Sequence, residues 1–363
     1  MIKNVFPIFN VLRMYREYPP QLRYVFRAII HGLIIILQFP FHVFELLIFK
    51  YKIESRKISK PPIIIIGYWR SGTTYLQRLL CLDKRFGRLT QYQALFPLGS
   101  SIHSLFFKSF VNLLMKVFQV KHPGHNVQMD MDFPSEEDVA LISSGYAYTP
   151  MWSHIYCHEA NYFMKEFLVF EAGSQISKKY IEMYSYMVKW LSYFGNGKQL
   201  VLKNPGHTTK IHEILQAFPE AKFIYLKREA NDVYFSNMKL MYNNRHQWLQ
   251  DMNENEMQNF FLTNYPRVIK QYKETKSLIP ESNLIEINFE LFYENPLDEI
   301  KNIYKKFDLD YRDQLDSCIM DFLRDQHGKG RHHYNEILPK KAGEMIENLN
   351  DQYESEKLTT VYR

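Results

Sequence analysis

A chain of 363 residues with 46% hydrophobic and 23% charged residues can bury a large core in one domain, or in one domain with insertions, and its composition excludes a disordered or fibrous chain. The net charge of +6 suits an anionic ligand or an anionic membrane face, and because the basic residues form no contiguous block no nucleic-acid partner is expected. Three cysteines, Cys81, Cys157 and Cys318, without paired spacing argue against a disulfide framework and for a reducing compartment, and the chain has no Asn-x-Ser/Thr acceptor.

Residues 1–60 form a basic and hydrophobic N-terminal segment. Arg13, Arg16, Arg23 and Arg27 precede an apolar run over residues 28–49, and Lys50, Lys52, Arg56, Lys57 and Lys60 follow it. The run is long enough to cross a bilayer, but His31, Gln38, Pro40, His42 and Glu45 interrupt it, and Glu45 is costly at a bilayer centre. The favoured reading is a helix, broken near Pro40, lying in the membrane interface with its Lys and Arg on headgroups. A full span, with type II topology, and a helix covering the core of the same domain are the alternatives. The few cysteines and missing glycosylation acceptors point to a cytoplasmic, membrane-associated protein.

Pro61-Pro62 opens the main domain, expected over residues 61–340. Ile63 to Ile66 reads as a strand buried on both faces. Further strands are expected at Leu200–Leu202, Phe223–Leu226 and Leu284–Ile287. Helices are expected from Thr208 to Phe218, Asn231 to Tyr242 and Leu297 to Phe307. Strands alternating with helices specify an α/β domain with a mainly parallel sheet flanked by helices. Residues 96–193, aromatic and helical in pattern, read as an insertion able to cover a substrate. Residues 341–363 read as a polar tail or surface helix.

Two segments carry the chemistry. In the first, Ile63 to Leu80, a strand, a Gly-bounded loop and a helix start make a P-loop-like cradle of amides at the positive end of a helix dipole. The spacing Gly67-x4-Gly72 is that of a Walker loop, but Thr73 and Thr74 stand where Lys-Ser/Thr is required, and Arg70 supplies a cation inside the loop instead. Such a loop suits an anion and poorly suits a nucleoside triphosphate with magnesium. In the second, Ala221 to Leu240, Arg228 ends a strand and Ser236 lies two turns into the next helix, so both can face one phosphate.

Together these segments resemble the two nucleotide motifs of sulfotransferases that use 3′-phosphoadenosine 5′-phosphosulfate (PAPS). The resemblance implies that Arg70, Ser71, Gly72, Thr73 and Thr74 hold the 5′-phosphosulfate, and that Arg228 and Ser236 hold the 3′-phosphate. Asp232 would brace the turn. Three further stretches resemble the bacterial-type branch of that family. They are Met129 to Leu141 with its acidic cluster Glu136-Glu137-Asp138, the segment LVLKNPGHTTKI around Lys203 and His207, and the late loop from His327 to Tyr334. The last would close over the nucleotide through Lys329, Gly330 and Arg331. The resemblance spans about residues 61–335 and leaves the N-terminal segment uncovered.

Membership of that family would make the chain an enzyme that moves a sulfuryl group from PAPS to a hydroxyl of a lipid, glycan or small-molecule acceptor. It would release adenosine 3′,5′-bisphosphate without an obligatory metal, Arg70 and Lys203 supplying the positive charge. Glu136 is the first choice for the base that takes the hydroxyl proton, Glu137 the second, and His207 the rival. Replacing Arg70 or Arg228 by Ala should abolish transfer with little loss of folding. His154 and His158, four residues apart, would share one face of a helix, but with Cys157 they lack a fourth metal ligand, and His327, His332 and His333 are no stronger, so no metal site is expected. A P-loop kinase or NTPase, and a catalytically silent membrane-bound nucleotide-binding protein, are the alternatives; oligomeric state is not specified.

Overall fold

A computed structural model describes residues 7–120, 130–146, 148–326 and 343–344. Lys329, Gly330 and Arg331, and nearly all of the C-terminal tail, lie outside the described residues. Two helices come first, α1 (Pro7–Glu17) and α2 (Val25–Glu54). The sheet begins with β1 (Ile63–Gly67), then α3 (Thr73–Leu80) and a two-residue strand β2 (Phe86–Gly87). A helical region follows, with α4 (Gln91–Leu95), α5 (Ser100–Val117), α6 (Glu137–Ser143), α7 (Ala160–Phe167) and α8 (Gln175–Phe194). The alternating pattern then resumes: β3 (Gln199–Lys203), α9 (Ile211–Ala217), β4 (Lys222–Lys227), α10 (Ala230–Asn243) and α11 (Glu254–Thr275). It ends with β5 (Leu284–Asn288), α12 (Phe289–Glu294), α13 (Pro296–Lys306) and α14 (Gln314–Gln326).

The five strands are all parallel, in the order β2-β3-β1-β4-β5. Alternate residues of each strand feed opposite cores, as the two-residue period requires. Ile64, Ile66, Leu202, Phe223 and Tyr225 face one core, with residues from α8, α9 and the N-terminal helices. Ile63, Ile65, Val201, Ile224 and Leu226 face the other, with residues from α3, α13 and α14. Burial on both faces explains why the strands read as unbroken apolar runs. Ile65 pairs with Lys203 and Gly67 with Leu226, so the carboxyl ends of the three central strands lie together.

Three expectations need correction. Helix α2 is continuous through Pro40 over 30 residues, not broken there. Pro40 is exposed, and the polar residues that looked like interruptions form the helix's inner face. Gln38 accepts a hydrogen bond from the Leu98 amide at 3.0 Å, and Glu45 accepts from Trp190 Nε1 at 3.0 Å and from the Ser101 amide at 3.2 Å. Secondly, the helix expected from Thr208 is a 3-10 turn over Pro205–Thr209 followed by α9. Thirdly, His154 and His158 share no helix face, since they fall in separate 3-10 turns, Pro150–His154 and Cys157–Glu159.

Candidate active site

The loop after β1 is shaped by conformations that few residues adopt. Gly67 has φ +150°, and a Cβ there would meet Ser71 Oγ at 2.6 Å and the Leu226 carbonyl at 2.7 Å. Gly72 has φ +95°, and its Cβ would lie 2.2 Å from the Phe289 ring. Arg70 takes φ +73° without being glycine, a strained geometry of the sort concentrated at functional sites. Thr208 locks the strand end: the Gly67 amide donates to Thr208 Oγ1 at 2.8 Å, and that hydroxyl donates to the Gly67 carbonyl at 2.8 Å. Gly72 then caps α3, whose first amides point into the loop. Ser71 Oγ is buried there without a hydrogen-bond partner among the described residues.

The loop reaches toward both neighbouring strands. On the β4 side, Arg70 Nε donates to Ser236 Oγ at 2.8 Å, and Arg228 Nη1 donates to the Arg70 carbonyl at 3.0 Å. Arg228 is held by Asp232 at 3.2 Å, both nearly buried, and its guanidinium lies 4.8 Å from the Phe289 ring centroid. Asn237 donates to the Trp69 carbonyl at 2.9 Å, tying α10 to the loop. A cavity of about 50 Å³ adjoins this side, lined by Tyr68, Ser71, Arg228, Val233 and Tyr265 among others.

On the β3 side, Lys203 is 1% exposed although it is a lysine at a strand end. Its Nζ donates to Thr74 Oγ1 at 3.1 Å and forms an ion pair with Glu136. Glu136 is extended, directly before α6, and its side chain is 23% exposed. Glu137, one residue on, points the other way: it is fully buried and accepts the Lys203 amide at 3.2 Å. Burial pushes the Glu137 carboxyl up to about 8, and pushes that of Asp138 up to about 6. Asp138 accepts from Thr149 at 2.8 Å, and Gly206 sits against it where a Cβ would approach to 2.8 Å.

The sequence thus named Arg70, Ser71, Gly72, Thr73, Thr74, Lys203, Glu136, Arg228 and Ser236, and the structure gathers these into one cluster around the loop after β1, with Arg228 and Ser236 bonded to Arg70 and with Lys203, paired to Glu136, bonded to Thr74. Glu137 joins it only through a backbone amide. His207 stands apart, edge-on to Tyr184 at 4.9 Å and to Tyr180 at 6.3 Å. Neither of its ring nitrogens has a hydrogen-bond partner among the described residues, and burial with nearby Lys210 pushes its pKa down to about 3. Sequence reasoning missed Thr208, Asn237 and Phe289. The segment holding Thr208 stood out, but nothing in its letters told which member grips the loop. His154 drew notice only as a metal ligand; it packs on Trp69 at 5.7 Å, and burial pushes its pKa down to about 4. No group of metal ligands occurs among the described residues.

The model of the sulfotransferase family matches residues 61–313, from the first residues before β1 to the approach to α14. The chain belongs to the sulfotransferase family. Its activity is therefore that of a sulfotransferase, and the two expected loops fall inside the matched region. Among similar members is the Mycobacterium tuberculosis protein named omega-hydroxy-beta-dihydromenaquinone-9 sulfotransferase Stf3, 25% identical over 274 residues, which are 74% of this chain and 68% of that one. The Mycobacterium bovis protein of the same name matches equally. The crystal structure of sulfotransferase STF1 from M. tuberculosis superposes with TM-score 0.70 at 15% identity, over 88% of this chain and 87% of that chain. Sulfotransferase STF9 from Mycobacterium avium gives 0.69 at 15% identity, over 90% and 84%. At such identities the two structures show a shared fold. The family match leaves out α1 and α2.

Proposed function

We propose that this sulfotransferase takes its sulfuryl group from PAPS and delivers it to a hydroxyl on a lipid or glycan at the cytoplasmic face of a membrane. The observation that carries the reading is that one loop is gripped at both ends, Arg70 by Arg228 and Ser236 on one side and Thr74 by Lys203, itself paired with Glu136, on the other. It suits a ligand with an anion at each end. The residues fit the nucleotide: the buried Ser71 hydroxyl has no partner among the described residues, and the first amides of α3 face the loop beside it, an arrangement suited to phosphate oxygens, while Gly67 and Gly72 let the loop pack closely on Leu226 and Phe289. Arg70, Ser71, Gly72, Thr73 and Thr74 hold the 5′-phosphosulfate, and Arg228 and Ser236 the 3′-phosphate.

Glu136 is the base. It is the one member of the acidic cluster that is both partly exposed and in contact with the network. As the acceptor oxygen bonds to sulfur and the bond from sulfur to the phosphate oxygen breaks, Glu136 takes the hydroxyl proton. Lys203 and Arg70 balance the charge that grows on the leaving phosphate. Glu137 holds the Lys203 backbone and is not a base, and His207 belongs to the core. Neither role requires a metal.

The relative named for an ω-hydroxylated dihydromenaquinone supports a membrane-borne acceptor. So does α2, which is long and apolar enough to cross a membrane and is largely exposed. The reading is tested by incubating the chain with ³⁵S-labelled PAPS and membrane lipid and glycan fractions. A labelled product that disappears with Arg70→Ala supports it; a chain that binds the nucleotide yet labels no fraction contradicts it.

A further inference from the structure

The whole positive excess of the chain lies in its first sixty residues. They hold ten Lys and Arg against three Asp and Glu, and the rest of the chain holds 35 against 36. The same segment carries α2, whose two faces differ. Gln38 and Glu45, seven residues apart and so on one face, bond to Leu98, Ser101 and Trp190. Ile35 and Ile53 are buried on that side as well. The opposite stripe, Phe26, Ile29, Leu33, Leu37, Phe44 and Leu47, is 51% to 80% exposed.

Helix α5 extends this surface. It begins against the middle of α2: Gly99 has φ +73°, and a Cβ there would lie 2.4 Å from the Phe41 carbonyl carbon. Phe41 packs on His103 and Phe107 with centroids 5.4 and 6.2 Å apart. The outer face of α5 shows Leu105, Phe106, Phe110, Leu113 and Val117, 56% to 78% exposed. Its inner face is polar and occupied, with Lys108 paired to Asp132 at 2.6 Å and Asn112 accepting the Met131 amide at 2.9 Å. Two helices far apart in sequence thus present apolar residues side by side. Such an exposed surface is large for a protein surrounded by water.

We infer that α2 and α5 together form a platform that rests on one leaflet of an anionic bilayer, and that neither helix crosses it. A crossing α2 would take Glu45 and Gln38 from their partners into hydrocarbon, which is costly. Exposed Arg16, Lys52, Lys57, Lys60 and, on α5, Lys116 flank the apolar face, and cations there complement anionic headgroups. That charge selects a bilayer over a second copy of this equally basic surface. The inference rests on the membrane reading above, keeps α2 in the plane of the interface and adds α5 as a second contact face.

The test is flotation of the full chain with vesicles of phosphatidylcholine, alone or mixed with phosphatidylglycerol. The chain should float with the mixed vesicles and about tenfold less with the neutral ones. Phe106→Glu with Phe110→Glu, on α5 alone, should cut flotation about tenfold or more. Binding of adenosine 3′,5′-bisphosphate is measured on the same samples, and should be unchanged; it reports folding and separates failure of the platform from failure of the donor reading. Flotation of the double variant equal to that of the parent overturns the inference. So does salt-insensitive self-association, abolished by the double variant, in a chain that does not float. Orientation is read in sealed membranes from cells expressing the chain, with Cys318→Ser as background and either Leu22→Cys or Lys57→Cys added. A membrane-impermeant maleimide should treat both ends of α2 alike; protection of one end only means a span and refutes the in-plane arrangement.

Discussion

Neighbouring residues in the acidic cluster do different jobs because a helix begins between them. Glu136 has extended backbone and Glu137 is the first helical residue, so their carboxylates diverge, one to Lys203 Nζ and one to the Lys203 amide. The sequence places Glu136 first and Glu137 second for the base, but the letters alone show no contact that separates them, since only the local dihedral angles do. Glu136→Gln should lower turnover about 100-fold or more with nucleotide affinity retained, as removal of a general base does. Glu137→Gln should leave most turnover and change the pH dependence of stability. The folded chain keeps on Glu137 a proton that the unfolded chain releases above its ordinary 4.5, so this residue costs stability as pH rises from there to about 8. Thermal melts should show the variant gaining on the parent toward the upper end of that window; a constant difference contradicts the assignment. Arg70 is a cleaner test of side-chain chemistry than its Ala variant alone allows. Its φ of +73° favours glycine, so Arg70→Gly should be at least as stable as Arg70→Ala while both lose transfer. At Arg228 the ion pair alters the expectation of harmless truncation. Removing it deprives nearly buried Asp232 of a cation, so Arg228→Ala should also lose some stability.

At the scale of elements, the strands were legible because burial on both faces leaves short apolar runs bounded by Pro, Gly or charged residues, whereas the similar run over residues 33–37 lies inside the long apolar stretch of α2. β2, only two residues long, carries no such signal. The continuity of α2 was hidden for a different reason. Polar residues at 38 and 45 interrupt a pattern read for a membrane but complete one read for a helix with partners on one side, and those partners come from Leu98 just before α5, from α5 and from α8. The motif letters around Arg70 and Arg228 pointed to the candidate site through their resemblance to two nucleotide motifs, and the structure brings these two loops together. Phe289, which closes the loop from below Gly72, follows from tertiary packing of β5 and has no local signature. The seating of α5 on α2 depends on Gly99. Gly99→Ala adds a methyl against the Phe41 backbone in a left-handed conformation and should destabilise the fold by about 2 kcal/mol or more, read as a lowered melting temperature. Retained stability would mean that the two helices do not meet as described.

Across the whole molecule, one sheet gathers the residues proposed to bind the nucleotide at its carboxyl edge, and a charged, apolar N-terminal region carries the face proposed to meet a membrane. Parallel α/β sheets place ligands at that edge because loops and helix amides converge there. The central claim is that two strand ends, β1 and β4, grip the two phosphates of a single nucleotide. Calorimetric titration with adenosine 3′,5′-bisphosphate, with adenosine 5′-phosphosulfate and with magnesium ATP tests it directly. The bisphosphate should bind about 100-fold more tightly than the ligand lacking a 3′-phosphate, and Arg228→Lys should shrink that gap by weakening the bisphosphate alone. Equal affinities for the two, or tighter binding of magnesium ATP, would contradict the account.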